Sequence, residues 1–314
     1  MATRWGIWFA IGAAAAFSLS GSLGSGLMAA GWSAGAASCV RILVGAVVLL
    51  PLCLVAMRGH WSRVPGALPR VIVYGVLAVA GPQLAYFQAV RYMPVAVALL
   101  VEFVAPVVVL VWLWLTGGQR PSTATVIGAL LALVGLVVVL DLVSGAPVSL
   151  VGIAWASAAM VGLAVYFLLS ADDSHGLPPV AFATGGLIVA GATLALAGAG
   201  GVLDFTMTRA DPMYAGREVP WWLAMLLLGA VTSGAAYALG IEGARRLGAR
   251  LAGFVGLTEV LFVALVAWWL VGETPTAVQA VGGALVLAGV ALVKLGEPAT
   301  VHADGTAAPP VVSE

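Results

Sequence analysis

The sequence predicts an all-α integral membrane protein with ten transmembrane helices, arranged as two inverted five-helix repeats. Three observations lead to this prediction: the composition, a series of apolar runs of about 20 residues, and a similarity between the two halves of the chain. Of the 314 residues, 62% are hydrophobic and 8% are charged, whereas about 25% of the residues in an average soluble domain are charged. This composition excludes a water-soluble protein. Thirteen basic residues balance thirteen acidic ones, so the chain has no net field that would attract nucleic acid.

Apolar runs long enough to cross the hydrocarbon core recur along the whole chain. Backbone N–H and C=O groups in lipid must be paired within the segment, and the runs do not alternate as barrel strands do, so each is predicted to be a helix. The predicted spans are residues 5–29, 35–57, 69–90, 95–115, 123–142, 149–169, 178–199, 220–241, 250–271 and 275–294. The first span is longer than a signal-peptide core and is expected to remain in the membrane.

The predicted spans are separated by residues that favour turns. These are Gly59 and Pro65, Pro94, Gly117 and Gly118, Gly145 and Pro147, Pro178 and Pro179, Pro220, Gly248, and Pro275. Pro121 and Pro275 suit the first turn of the helix that follows each, where a backbone N–H has no partner to lose. Residues 296–314 are rich in Ala and Pro and are predicted to form a disordered cytoplasmic tail.

The basic residues predict the orientation, because cytoplasmic loops retain an excess of Lys and Arg. With the N-terminus inside, nine basic residues share its side: Arg4, Arg58, Arg63, Arg70, Arg120, Arg245, Arg246, Arg250 and Lys294. Three lie on the other side: Arg91, Arg209 and Arg217. We therefore expect a multi-pass protein of the plasma (inner) membrane, with both termini in the cytoplasm.

The two halves of the chain resemble each other. An offset of 154 residues brings Gly118, Pro121, Gly128 and Gly135 onto Gly272, Pro275, Gly282 and Gly289, and an offset of 146 brings Gly6 onto Gly152. Glycine- and valine-rich helices can also resemble each other by chance. If residues 1–146 and 147–295 are two repeats of five spans each, the second enters the membrane upside down. Secondary transporters follow this plan and bind their solutes near the bilayer midplane.

Two segments resemble a known family. YFQAVRYMPVAVALLVEFVAPVVVLVWLWL at 86–115 and LGARLAGFVGLTEVLFVALVAWWLVGETPTAVQAVGGALVLAGVAL at 247–292 are similar to the repeated ends of EamA-type carriers of the drug/metabolite transporter superfamily. Val260 and Gln119 depart from the family pattern, which commonly has proline and glutamate there. Glu102, Phe103 and Pro106 most resemble the threonine/homoserine exporter branch. The resemblance implies efflux, and a periphery formed by the fifth and tenth helices at which a homodimer could form.

Two acidic residues lie inside predicted spans, Glu102 and Glu259. A carboxylate at bilayer depth costs about 2.5–3.5 kcal/mol on insertion scales, so each is a functional candidate. Arg41 lies at a depth similar to that of Glu102, and the two either form a buried ion pair or contact the solute. No equally placed cation is apparent for Glu259, which is therefore predicted to couple transport to protons or to bind an ammonium group. The alternative is a carboxyl group that stays protonated in a packed interior.

Several uncharged polar or aromatic residues in the spans could replace the water that a small polar solute loses. Gln83, Tyr86 and Gln88 lie in the third span and Tyr237 lies in the eighth. Each could equally bond a neighbouring helix. Trp155 could stack over an ammonium group or fill space.

The sequence contains no ATP-binding loop, metal-ligand spacing or Ser/His/Asp set that would predict a catalytic residue, a metal or a cofactor. We therefore expect a secondary transporter rather than an enzyme, one that moves a small polar metabolite such as an amino acid, driven by the solute gradient or by protons. The alternatives are an exporter of drugs or organic cations, a membrane-embedded enzyme acting on a lipid-linked substrate, and a sensor or scaffold that transports nothing.

Overall fold

A computed structural model of the chain describes residues 2–140, 149–271 and 276–296. Ten membrane-directed helices lie in these residues. They are α1 (Ala2–Ala29), α2 (Ala34–Ala56), α3 (Trp61–Ala89), α4 (Val95–Gly117), α5 (Thr123–Val139), α6 (Leu150–Ala171), α7 (Pro179–Ala199), α8 (Trp221–Leu247), α9 (Ala249–Gly256 and Glu259–Val271) and α10 (Ala277–Gly296). A short hairpin between α7 and α8 pairs β1 (Met213–Tyr214) with β2 (Arg217–Glu218). The predicted fold class is confirmed.

Two helices extend beyond the predicted spans by six residues or more. Helix α3 begins at Trp61 rather than at 69, because Pro65 occupies its first turns, where proline is tolerated. Helix α8 continues to Leu247 rather than 241, and its polar last turns carry a salt bridge between Glu242 and Arg246. Hydropathy marks only the part of a helix that lies in hydrocarbon, so it misses such polar ends.

Some predicted features lie outside the described residues. They are Gly145 and Pro147, the boundary between 146 and 147, the Gly272–Pro275 junction, and the tail beyond Gly296. At the described junctions, the capping follows the sequence. Ser122 caps α5, because its hydroxyl accepts the Thr125 N–H at 3.1 Å, and Gly248 ends α8 with a φ of 79°.

Four helices are interrupted, and the interruptions repeat. A π-helical turn covers Tyr74–Ala80 in α3 and Ala230–Ala235 in α8. Helix α4 breaks at 103–104 and α9 at 257–258, and these breaks are related by the 154-residue offset. In α4 the break precedes Pro106, which cannot donate to the Glu102 carbonyl and clashes with it. In α9, where Val260 replaces the proline, the Thr258 hydroxyl donates to the Val255 carbonyl at 2.7 Å and competes with the helix.

The helix packing is also symmetric. Helix α1 packs along α8 as α6 packs along α3, while α2 packs on α7 and α5 on α10. Exchanging the repeats replaces α1 by α6 and α8 by α3, so it converts the α1–α8 pair into the α6–α3 pair. The α2–α7 and α5–α10 pairs remain unchanged. The detail agrees: Gly6 of α1 lies against Arg246 and Leu247, and Gly152 of α6 lies against Tyr92 and Met93. These contacts are related by offsets of 146 and 154 residues, the two offsets found in the sequence.

Helices α5 and α10 cross closely at glycines. A Cβ atom on Gly128 would lie 2.6 Å from the Gly289 carbonyl oxygen, and one on Gly135 would lie 2.6 Å from that of Gly282. The four glycines that reveal the repeat in the sequence therefore also meet in space, but in exchanged pairs, Gly128 with Gly289 and Gly135 with Gly282. They join the two repeats at the edge of the bundle.

Candidate functional site

A cavity of about 540 Å³ lies between the repeats, within the range of small-molecule sites. Its lining comes mainly from α1 to α4, α6, α8 and α9. At the face where α1 begins, here called the N-terminal face, its innermost residues include Ala10 and Ala252. It extends towards the opposite face, where α1 ends and α4 begins, and reaches exposed Met28 and Val95. The cavity is therefore accessible from the opposite face.

Both predicted carboxylates line this cavity. Glu102 is the last residue before the break in α4, and Glu259 is the first residue after the break in α9. At the 154-residue offset, Glu102 corresponds to Gly256 rather than to Glu259. Because α4 and α9 run in opposite directions, this three-residue difference puts both acids on the same side of the repeated break. They lie close enough to interact electrostatically.

Arg41 is 6% exposed and also lines the cavity. Its Nη1 donates to the Ser20 hydroxyl at 3.1 Å and to the Thr232 hydroxyl at 3.0 Å. Within the described residues it forms no salt bridge with Glu102. Among the described residues it forms no salt bridge with Glu259 either, although it lies close enough to interact electrostatically with that carboxylate. Sequence spacing did not reveal this proximity, because packing of α2 against α1 and α8 decides where the guanidinium lies.

An aromatic cluster lies on the cavity side that faces the N-terminal face. Tyr237 is 5% exposed, and its ring lies edge-on to Phe17 at 5.1 Å and to Tyr166 at 5.8 Å between centroids. Tyr166 and Phe167 form a further pair at 5.0 Å. Tyr237 was a sequence candidate, whereas Tyr166 was missed, although a tyrosine inside an apolar span was an available signal.

The remaining candidates divide between the cavity and other surfaces. Gln83 and Tyr86 line the cavity, one helical turn apart on α3. Gln88 is not among the lining residues, and its side-chain oxygen accepts from Arg91 at 3.5 Å. Trp155 is 41% exposed and is not brought to the cavity. Helical periodicity accounts for this division, because residues two apart on a helix point in different directions.

The N-terminal face is closed by side chains and a loop. The Arg246 guanidinium lies 4.9 Å from the centre of the Phe9 ring. Arg63 donates to the Gly176 carbonyl at 2.6 Å, and Arg245 donates to the Leu177 carbonyl at 2.8 Å. The loop between α6 and α7 is thereby held to the ends of α3 and α8.

Two groups of this loop have shifted pKa values. Burial of the His175 ring and the nearby Arg245 charge lower the pKa of His175. For Asp172, partial burial acts against the shift, but hydrogen bonds from Ser174 and the charge of Arg70 outweigh it and lower the pKa. The loop therefore favours a neutral imidazole and an ionised carboxylate.

Comparison with known proteins now identifies the family. Residues 4–141 and residues 150–295 each match the EamA-like transporter family. The chain belongs to this family. Each match covers five of the described helices. The EamA-like transporter therefore consists of two copies of one unit, in agreement with the repeated breaks and contacts described above.

One relative of this EamA-like transporter and one protein of similar fold are informative. An uncharacterized transporter from Archaeoglobus fulgidus is 28% identical over 253 residues, which are 80% of this chain and 83% of the relative. A protein of known crystal structure superposes with a TM-score of 0.74 at 24% identity, covering 94% of this chain and 96% of that one. The second likeness shows a shared fold.

Proposed function

We propose that this EamA-like transporter is a secondary carrier that exports a small polar metabolite, an amino acid or a close derivative, by alternating access. The observation that carries the proposal is the cavity between the inverted repeats, with Glu102, Glu259 and Arg41 on its wall. An acid at bilayer depth is costly unless it has a function or a partner. The amino acid substrate and the outward direction also draw on the resemblance to the threonine/homoserine exporter branch.

The two carboxylates have different tasks in this proposal. Arg41 acts as the internal counter-charge of Glu259, which leaves Glu102 as the acid available to the ammonium group of the solute. Gln83 and Tyr86 offer hydrogen bonds to its remaining polar atoms. The apolar remainder of the lining accommodates a side chain of moderate size, since small-molecule sites are mostly apolar with a few placed polar groups.

Protons are the proposed coupling ion. A solute ammonium group and a proton compete for the same carboxylates, because burial favours the protonated form and a nearby cation favours the ionised form. Both carboxylates face one cavity, so the solute and a proton can each reach either of them. One turnover would then exchange solute for protons across the plasma membrane.

A second candidate is the export of an organic cation that has no carboxylate. The observation that favours it is the excess of two carboxylates over one guanidinium in the lining, next to Phe17, Tyr166 and Tyr237. Aromatic faces attract cations. The two candidates differ in whether the solute carries a carboxylate.

Transport by purified protein in liposomes tests both candidates. With an amino acid panel and a panel of monoamines and quaternary amines, we expect counterflow of one class. We predict that Glu102→Gln and Glu259→Gln each lower uptake at least about tenfold, which corresponds to about 1.4 kcal/mol of lost interaction. Glu259→Gln should also abolish the response to an imposed pH gradient.

Glu218→Gln is the matched control, because Glu218 is an exposed acid in the β2 strand, away from the cavity. It should transport like the unmodified protein. Undiminished pH-driven uptake by Glu259→Gln would refute the coupling role. Flux of neither panel through folded protein would refute the proposed substrate classes.

A further inference from the structure

Large side chains of α6 fit against glycines of α8 and α9 where the cavity is closed towards the N-terminal face. The hydroxyl of Tyr166 occupies the place where a Cβ atom of Gly240 would be. The ring of Phe167 would lie 3.5 Å from a Cβ atom on Gly253 and 3.1 Å from one on Gly256. Tyr166 leaves no room for a side chain at Gly240, and Pro106, at 3.2 Å, limits the room at Gly253 more than the Phe167 ring does.

The repeat assigns a counterpart to each residue of this closed contact, and that of Gly256 is Glu102. With the offset of 146 between α1 and α6, Tyr166 corresponds to Ser20 and Phe167 to Gly21. With the offset of 154 between α3–α4 and α8–α9, Gly240 corresponds to Tyr86 and Gly253 to Leu99. The sizes are exchanged: α6 carries the large residues on the closed side, whereas α1 carries the small ones on the other.

These counterpart residues line the accessible part of the cavity. Among the described residues, a Cβ atom on Gly21 or Gly24 would meet no atom within 4 Å. Neither glycine is needed to pack this conformation. The last turns of α8 pack along α6, but the last turns of α3 make no comparable packing with α1 in the described part of the chain.

We propose that Tyr86 and Leu99 pack onto α1 at Ser20, Gly21 and Gly24 when the transporter closes this side of the cavity. We call these five residues, which lie in helices α1, α3 and α4, the α1–α4 gate. The inference rests on the alternating access proposed above, because only a second conformation brings the two surfaces together. Inverted repeats make that conformation specific: each repeat adopts the arrangement that the other has here.

Close packing explains why large and small residues are exchanged between the two sides. A bulky residue on both surfaces would keep the gate open, and a glycine on both would leave a void. One large and one small residue at each position let the helices approach closely. The gate therefore needs its glycines on α1 for the same reason that the closed side needs Gly240 and Gly253.

Disulfide trapping tests the contact directly. In a background with Cys39→Ser and Cys53→Ser, which removes both native cysteines, Gly21→Cys is combined with Leu99→Cys. The control pair is Phe167→Cys with Gly253→Cys, its repeat counterpart on the closed side. After oxidation in liposomes, mass spectrometry of unreduced peptides measures each disulfide, which requires Cα atoms about 4.4–6.8 Å apart.

We expect both pairs to form disulfides, because the protein samples both conformations. Each disulfide should lower transport at least about tenfold, and a reductant should restore it, because a carrier held in one state cannot complete a cycle. Absence of the 21–99 disulfide in protein that transports would overturn the gate and leave the proposed function standing. If both disulfides form but the protein moves no solute even after reduction, the result would support the gate and count against the proposed function.

A size-exchange experiment tests the same contact without cysteines. Gly21→Phe finds room in the conformation seen here but prevents closure, so uptake should fall at least about tenfold in folded protein. Adding Leu99→Ala recreates the pairing of Phe167 with Gly253 and should restore most of the uptake. A ring that merely obstructs the solute would not be relieved in this way, so failure of Leu99→Ala to rescue Gly21→Phe would overturn the gate.

Discussion

His175 shows how single residues hold the N-terminal face together. Its ring stacks on Phe182 at 4.4 Å between centroids, and its Nδ1 accepts the Leu177 N–H at 3.1 Å. Its Nε2 lies 3.3 Å from the Arg245 guanidinium. The contacts of both ring nitrogens favour a neutral ring: Nδ1 must lack a proton to accept, and a positive ring would face Arg245 and Arg70, with Asp172 as the opposing charge.

We predict that this loop loses stability in mild acid. The pKa of His175 is lowered in the folded protein from its ordinary value of 6.5. The unfolded chain therefore binds the proton more readily, so the stabilisation is complete above pH 6.5 and is lost as the pH falls below it. Thermal unfolding in detergent should show a lower Tm at pH 5 than at pH 7.5. His175→Gln should lack this part of the pH dependence, and an unchanged dependence would contradict the assignment.

At the scale of elements, breaks and glycines decide how the helices meet. The breaks in α4 and α9 place Glu102 and Glu259 on the same side of the helix interruption. The glycines of α5 and α10 bring the two repeats into backbone contact. The sequence shows the glycines as repeated landmarks, but only the structure shows the breaks and the contacts between these glycines.

We predict that Gly135→Leu separates α5 from α10 and destabilises the fold by about 1–3 kcal/mol, the usual cost of overpacking. The side chain would collide with the Gly282 carbonyl and with α10 backbone at Val286. Gly66→Leu is the matched control, since a Cβ atom there meets no described atom within 4 Å. Unfolding in a graded denaturant measures both variants. Equal stability of the two would show that the crossing tolerates bulk.

At the scale of the whole molecule, the two repeats form one membrane unit with a cavity accessible from one face. The proposed orientation puts the N-terminal face in the cytoplasm, because nine of the basic residues cluster on that side. The cavity would then be accessible from outside the cell in the conformation described here.

Reporter fusions test this orientation. We predict that a fluorescent protein that matures only in the cytoplasm will fluoresce at either terminus, because the ten helices make an even number of crossings. Alkaline phosphatase, which is active only outside, should be active when inserted at Gly201, an exposed site in the loop after α7. The reverse pattern would show that the topology is inverted and that the cavity is accessible from the cytoplasm.

Much of the fold could be predicted from the sequence, because hydropathy and turn residues act along one helix at a time. The landmarks Gly128, Gly135, Gly282 and Gly289 predicted the repeat, and the cost of buried charge predicted Glu102, Glu259 and Arg41 as candidates. The site was less accessible to such reasoning. Gln88 and Trp155 lie outside the cavity lining, and Tyr166 inside it, because helix rotation decides which face of a span meets the cavity.

The sequence by itself determined that the chain enters lipid, crosses it repeatedly as two similar units, and carries charge at depth. These properties follow from the free energy of transfer of each segment, which depends on local composition. The tertiary structure decided that Arg41 donates to Ser20 and Thr232, that both acids share one side of the breaks, and that Gly21 faces open space. These depend on which neighbours each helix has and on how each helix is rotated, and no property of a single segment specifies either.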